Sequence, residues 1–293
     1  AASDVYKRQT RIRERMSATT MNGAESLVRT LIDGGIEVCF TNPGTSEMHF
    51  CAALDRVPGL RCVLGLFEGV VTGAADGYGR MRDFPSATLL HTGPGLGNGF
   101  ANLHNARKAR SPVVNIVGEH ATYHIRHDAP LTSDIEGIAA PVSDWVKTSR
   151  NAEDVSRDGA QAIAEARKTP GRIATLILPA DTAWNEASSG ATVPSVPNPE
   201  TVNSNALDEC VRVLRSGEPV MLLLGSKGLR AGALEWAGRI AKHSGAVLLS
   251  ESSAARTERG AGRVGLTRIP YVVDQALEVT RPFKHLILAG SKA

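Results

Sequence analysis

From Met21 onward the chain alternates between stretches with apolar residues at helical spacing and short, continuous apolar runs of strand length. Ala24, Leu27, Val28, Leu31 and Ile32 share one helical face, which Gly34 and Gly35 close. Residues 36–40 then form a β-rich run that ends in the turn Asn42-Pro43-Gly44. Ser46 offers an N-cap for a helix to about Leu54, and residues 62–66 read as the next strand. The pattern continues with a helix over 68–81, a strand over 87–91, a helix over 96–110 and a strand over 113–118. A helix over 152–168 and a strand over 173–178 complete it. Strands that are apolar throughout, separated by helices, predict a parallel sheet covered on both faces with right-handed crossovers. Residues 21–186 are therefore expected to form a doubly wound α/β domain.

Residues 187–205 are rich in Pro, Ser and Asn without apolar period, as a linker would be. A second α/β pattern occupies 206–293: helix 207–214, strand 220–224, helix 232–243, strand 246–249 and a last strand over 285–289. It stops where an α/β unit would turn into its next helix, so this domain is expected to be truncated. Residues 1–20 are expected to be disordered or artefactual. The first fifteen are polar and basic without periodicity, and SDVYKRQ resembles translated adapter sequence. No internal repeat of 20–50 residues is visible.

Composition narrows the classes of function. Apolar residues make up 42% and charged residues 22%, an ordinary globular mix. A formal charge of +3 is too small for a nucleic-acid footprint, and 4% aromatics is thin for base stacking. No apolar run approaches the roughly 20 residues of a membrane helix. Cys39, Cys51, Cys62 and Cys210 lie far apart without a C-x-x-C pair, which argues against a disulfide scaffold or zinc ribbon. With no signal peptide visible, a cytoplasmic location is the expectation.

Several familiar motifs fail on spacing. The run Gly93-Pro94-Gly95-Leu96-Gly97-Asn98-Gly99 follows a strand and opens a helix, as a phosphate cradle would, and Glu119 ends the next strand. Its glycines recur at every second position, whereas the dinucleotide fingerprint needs offsets of 0, 2 and 5. A nicotinamide-dependent oxidoreductase is thus only an alternative, beside a glycine turn that merely allows close packing. Neither a P-loop nor H-E-x-x-H nor G-x-S-x-G occurs. His120, His124 and His127 could align on a helix as metal ligands, but the segment reads better as a solvated loop.

Four clusters organise the N-terminal half: Asn42-Pro43-Gly44-Thr45-Ser46-Glu47, Phe67-Glu68-Gly69, Ala75-Asp76-Gly77-Tyr78-Gly79-Arg80 and His91-Thr92-Gly93-Pro94-Gly95. In order and spacing they resemble the pyrimidine-binding domain of thiamine diphosphate enzymes, in the branch of acetolactate synthase large subunits and benzoylformate decarboxylase. The region after Asn205 resembles the start of that family's central domain more loosely. The resemblance implies that Glu68 hydrogen-bonds N1′ of the cofactor's aminopyrimidine and activates it for attack on a 2-oxo acid. On residues alone, Glu68 reads rather as an acid placed well for the dipole of a helical first turn, and the company of the other motifs reverses that. The resemblance also implies that Pro43, Gly44 and Thr45 form the turn beside the reacting centre. By the same likeness, Thr92, Gly93, Gly95 and, more loosely, Asn98 would flank the cofactor.

His91 matches a histidine that handles substrate protons in benzoylformate decarboxylase; its plain alternative is a strand-end histidine bonded to nearby backbone. Asp128 falls near a substrate-side segment of acetolactate synthases, but Pro130-Leu131 breaks that pattern and weakens the link to acetolactate specificity. No G-D-G occurs in the chain. The Mg²⁺ and diphosphate ligands are therefore expected outside it, with no metal ligand within it and FAD binding undecided. The family likeness further implies a homo-oligomer that shares its active site. A non-catalytic binding or assembly subunit is the other alternative.

Overall fold

The computed structural model describes residues 21–292; the reading of 1–20 lies outside the described residues. The first unit begins with β1 (Met21–Asn22) and α1 (Gly23–Asp33), where the Asn22 side chain caps the Glu25 N–H at 2.8 Å. β2 (Val38–Asn42) leads through a 3₁₀ turn (Thr45–Glu47) into α2 (Met48–Arg56). β3 (Arg61–Leu64), α3 (Glu68–Arg82), β4 (Ser86–Leu90), α4 (Thr92–Ala109) and β5 (Val113–Glu119) follow. The unit continues through α5 (Ile135–Ala139), β6 (Trp145–Thr148), α6 (Ala152–Arg167) and β7 (Ile173–Pro179). It closes with α7 (Ala180–Trp184) and β8 (Glu186–Ala187), which pairs antiparallel with β1.

The main sheet has the order β3-β2-β4-β5-β7-β6 and every pairing in it is parallel. β4, β5 and β7 are buried along their whole length, and their polar residues Thr88, Asn115 and Thr175 hydrogen-bond to one another across the sheet. One core joins the sheet to α1, α2, α6 and α7 through residues such as Leu27, Phe50 and Ile163. A second joins the opposite face to α3, α4 and α5 through Val71, Leu96, Leu103 and Ile135. The doubly wound α/β fold expected from the hydropathy pattern is present. The chain runs from β2 outward to β3 and then back across β2 to β4. The connections therefore reverse between β2 and β4, and a crevice opens there at the carboxyl ends of the strands.

Several features differ from the sequence pattern, which also lacks β1, α7 and β8. α4 starts at Thr92 rather than at 96, because the glycine-rich run is itself the first helical turn. β6 was not legible: it is four residues at a sheet edge and half-exposed. α5 is only five residues long, below what periodicity resolves. The remaining boundaries shift by one to three residues, as at β2, β3 and α2.

The Ala75–Arg80 cluster has a structural role of its own. Asp76 is buried on α3 and accepts from Arg80 Nε (2.8 Å), from an Arg80 terminal nitrogen (2.6 Å) and from Ser111 Oγ (2.5 Å). This fastens α3 to the loop before β5. Asp76→Ala strands both donors and is expected to cost about 2–3 kcal/mol, read as a lowered thermal midpoint. A midpoint within error of the parent would remove that role.

Beyond the Pro- and Ser-rich segment, α8 (Ser204–Leu214), β9 (Val220–Leu224), α9 (Ala231–Ser244), β10 (Val247–Ser250), β11 (Thr267–Arg268), α10 (Val273–Thr280) and β12 (His285–Ala289) form a second unit. Its parallel sheet has the order β11-β10-β9-β12. α10 escaped the sequence pattern because its apolar residues Val273 and Leu277 are exposed rather than packed. Arg230 reaches Asp83 at the end of α3 (2.8 Å), and Arg256 the Met81 carbonyl (2.8 Å).

Candidate active site

Three chain segments converge at the crevice between β2 and β4. The turn after β2 carries Pro43, Gly44, Thr45 and Glu47; the first turn of α3 carries Glu68; the end of β4 carries His91 and Thr92. Glu68 is the N-terminal residue of α3, where an acid is favoured by the helix dipole. It is half-buried, and its Oε2 accepts from Asn98 Nδ2 of α4 at 3.1 Å. Leu66 and Phe67, directly before it, are exposed at 91% and 50%, so Glu68 looks out over an uncovered apolar shoulder.

Gly95 lies between the two candidate catalytic side chains. A Cβ placed there would stand 3.3 Å from Glu68 Oε1 and 3.7 Å from His91 Cβ. The Glu68 carboxyl and the root of the His91 side chain thus both come within 4 Å of one point above this glycine. Gly93 is also required by packing, because a side chain there would overlap Ser133 in the loop before α5. Thr92 adopts φ 51°, a left-handed backbone that is uncommon for a β-branched residue. Its hydroxyl is buried and has no hydrogen-bond partner among the described residues.

His91 is held by Glu47, to which the sequence motifs assign no role. Its Nδ1 lies 2.8 Å from Oε2 of Glu47, and the same oxygen accepts the Gly44 N–H at 2.7 Å. Glu47 is fully buried, its Oε1 has no hydrogen-bond partner among the described residues, and burial pushes its carboxyl above the ordinary range. The Gly44 N–H and His91 pull in the opposite direction without overcoming that push. The plain reading of His91 as bonded to backbone is thus replaced by a side-chain pair. Gly44 is demanded by the same pair, since a Cβ there would run into the imidazole ring. The available signal was spacing: an acid three residues after the turn glycine can return its carboxylate to that glycine's N–H.

The other predicted residues sit apart from this pair in different degrees. Pro43 is half-buried in the turn, and Thr45 opens the 3₁₀ turn with its side chain exposed. Asp128 lies on an exposed loop with φ 49°, and no hydrogen bond joins it to Glu68 or His91. Glu119, the acid of the dinucleotide alternative, is buried and turns back to accept the His120 N–H at 2.6 Å. Burial pushes its carboxyl upward, and the charge of Glu47 adds to that. His120 and His124 meet edge to face and His124 and His127 at a tilt, with centroids 5.7 and 6.3 Å apart. Among the described residues no group of three or more His, Cys, Asp or Glu is arranged to hold a metal ion. Among them, too, no helix is long and apolar enough to cross a membrane.

Residues 21–138 match the family model of the thiamine pyrophosphate enzyme N-terminal TPP binding domain. A Mycobacterium tuberculosis chain assigned as an acetolactate synthase large subunit, IlvX, is 51% identical over 93% of this chain and 52% of its own length. The benzoylformate decarboxylase of Pseudomonas aeruginosa is 34% identical over 53% of this chain and 29% of its own. A solved structure described as the thiamine diphosphate-dependent 4-hydroxybenzoylformate decarboxylase of Rhodococcus jostii RHA1 superposes with a TM-score of 0.81. It has 24% identity and covers 92% of this chain and 52% of that one, a likeness of fold. The chain carries a thiamine pyrophosphate enzyme N-terminal TPP binding domain over residues 21–138. Its relatives place it in the acetolactate synthase and benzoylformate decarboxylase branch, and it spans about half the length of the first of them.

Proposed function

We propose that this chain supplies the pyrimidine-side half of the active site of a thiamine diphosphate-dependent 2-oxo acid carboligase or decarboxylase. The observation that carries this reading is the convergence of Glu68 and His91 over Gly95, at the sheet's switch point. The residues present fit the pyrimidine end of the cofactor. Glu68 presents a carboxyl at the mouth of the crevice, Thr92 holds a buried hydroxyl without a partner, and Gly95 leaves open the space a side chain would take. When bound, the cofactor supplies an electron sink for cleavage next to a carbonyl.

This chain's residues bind, orient and move protons around it. Glu68, steadied by Asn98, shares a proton with a ring nitrogen on the pyrimidine side. His91 handles protons of the 2-oxo acid or of the departing product. The Mg²⁺ and diphosphate ligands come from outside the described residues, and a partner subunit that supplied them would make the complete site a shared one.

The test is an assay of the protein expressed from its complete reading frame, with thiamine diphosphate and Mg²⁺, on pyruvate and benzoylformate. Carbon dioxide release or acyloin formation that depends on the added cofactor is expected. Cofactor-independent turnover, or none on any 2-oxo acid, sinks the reading. His91→Ala is expected to lower kcat by on the order of 10²-fold on at least one of these substrates. Unchanged kinetics on both would make His91 structural.

A further inference from the structure

We infer that Glu47 is the positioning residue of His91: it fixes the imidazole as the Nδ1–H tautomer and leaves Nε2 as the atom that exchanges protons in the crevice. This inference rests on the proposed role of His91 and deepens it. Glu47 Oε2 is the meeting point of two short hydrogen bonds, from the Gly44 N–H at 2.7 Å and with His91 Nδ1 at 2.8 Å. The Gly44 N–H can only donate, so Oε2 is already an acceptor. An ionised Glu47 carboxylate can only accept, so its second partner must donate as well, and the ring hydrogen then sits on Nδ1. His91 Nε2 has no hydrogen-bond partner among the described residues.

The rest of the surroundings keep this arrangement in place. Glu47 Oε1 packs against the backbone of Gly118, where any side chain would overlap it, so the carboxyl has no room to turn away. The titratable groups that face Glu47 are His91 from the end of β4, Glu119 from the end of β5 and Cys51 from α2. Glu68 lies across Gly95 from His91. Among these only His91 can offer a positive charge, so a proton arriving at Nε2 is balanced by the buried carboxylate behind the ring. Orientation of a histidine by a buried acid is the same logic that operates in serine hydrolase triads.

The test separates tautomer from activity. In protein labelled with ¹⁵N-histidine, the His91 ring signals are assigned by their loss in His91→Ala. The expected spectrum shows Nδ1 protonated. Glu47→Gln keeps an oxygen at the Gly44 N–H and should retain that tautomer while removing the charge. Glu47→Leu removes the acceptor and should release the ring to a mixture dominated by Nε2–H. In the complete enzyme, kcat should fall about tenfold in Glu47→Gln and about 10²-fold in Glu47→Leu, with KM nearly unchanged.

An Nε2–H signal in the parent protein overturns the inference and needs no variant, so a misfolded Glu47→Leu does not shield it. A tautomer unchanged in a folded Glu47→Leu overturns it equally. If the complete enzyme proves inactive on 2-oxo acids while His91 shows Nδ1–H, the proposed function fails and the positioning role stands.

Discussion

Replacing Glu68 by glutamine is expected to lower turnover of the complete enzyme by about 10²–10⁴-fold while leaving its thermal midpoint nearly unchanged. The separation of the two effects follows from where Glu68 sits. It is half-buried at the first turn of α3, and its one described side-chain partner is Asn98 Nδ2 at 3.1 Å. A glutamine oxygen can accept that same hydrogen bond, so the fold loses little more than a dipole interaction of a few tenths of a kcal/mol. The amide cannot take up or release a proton, so any step that needs the carboxyl is lost outright. Measuring kcat at saturating cofactor and substrate beside a melting curve distinguishes the two. Parent-like turnover removes the role of Glu68. A fall in turnover matched by unfolding would assign it to the scaffold instead.

The clarity of the sequence varied with the physics of each part. β4, β5 and β7 could be read because both faces of a central parallel strand are buried, which leaves runs such as Val113–Val114 and Leu176–Ile177 without polar interruption. Edge strand β6 and the exposed helix α10 carry no such imprint, because little of either is buried. Within the crevice, Glu68 and His91 were identifiable through the company of neighbouring motifs. Their separation is 23 positions in sequence, and only the strand order β3-β2-β4 explains why they share one space. The Glu47–His91 pair was the hardest part to anticipate. It joins the turn after β2 to the end of β4, and in sequence Glu47 stands in its motif without a role of its own. Nothing in hydropathy distinguishes an acid that caps a turn from one that also holds an imidazole. Three-dimensional closure of the sheet supplies that distinction.

Gly118 is the position through which that closure can be tested most directly. It lies in the buried strand β5, in register with Leu178 of β7, and a Cβ built on it falls inside the carboxyl group of Glu47. Strand backbone at the centre of a six-stranded sheet cannot retreat without disturbing ladders on both sides, so Glu47 must move. Doing so breaks its bonds to the Gly44 N–H and to His91. Gly118→Ala should therefore cost about 1–3 kcal/mol as an overpacking substitution, and it should lower kcat through His91 although residue 118 touches neither substrate nor cofactor. A generic loss of strand packing predicts the same destabilisation whatever occupies position 47. The double variant decides between the two explanations: Glu47→Ala removes the group that the new methyl strikes. Gly118→Ala should then be nearly neutral in that background, a coupling of about 1–3 kcal/mol in a double-mutant cycle. Additive costs would place the strain in the strand itself and detach Gly118 from the pair. A strong coupling would show that this glycine is kept small to make room for the carboxyl that holds His91.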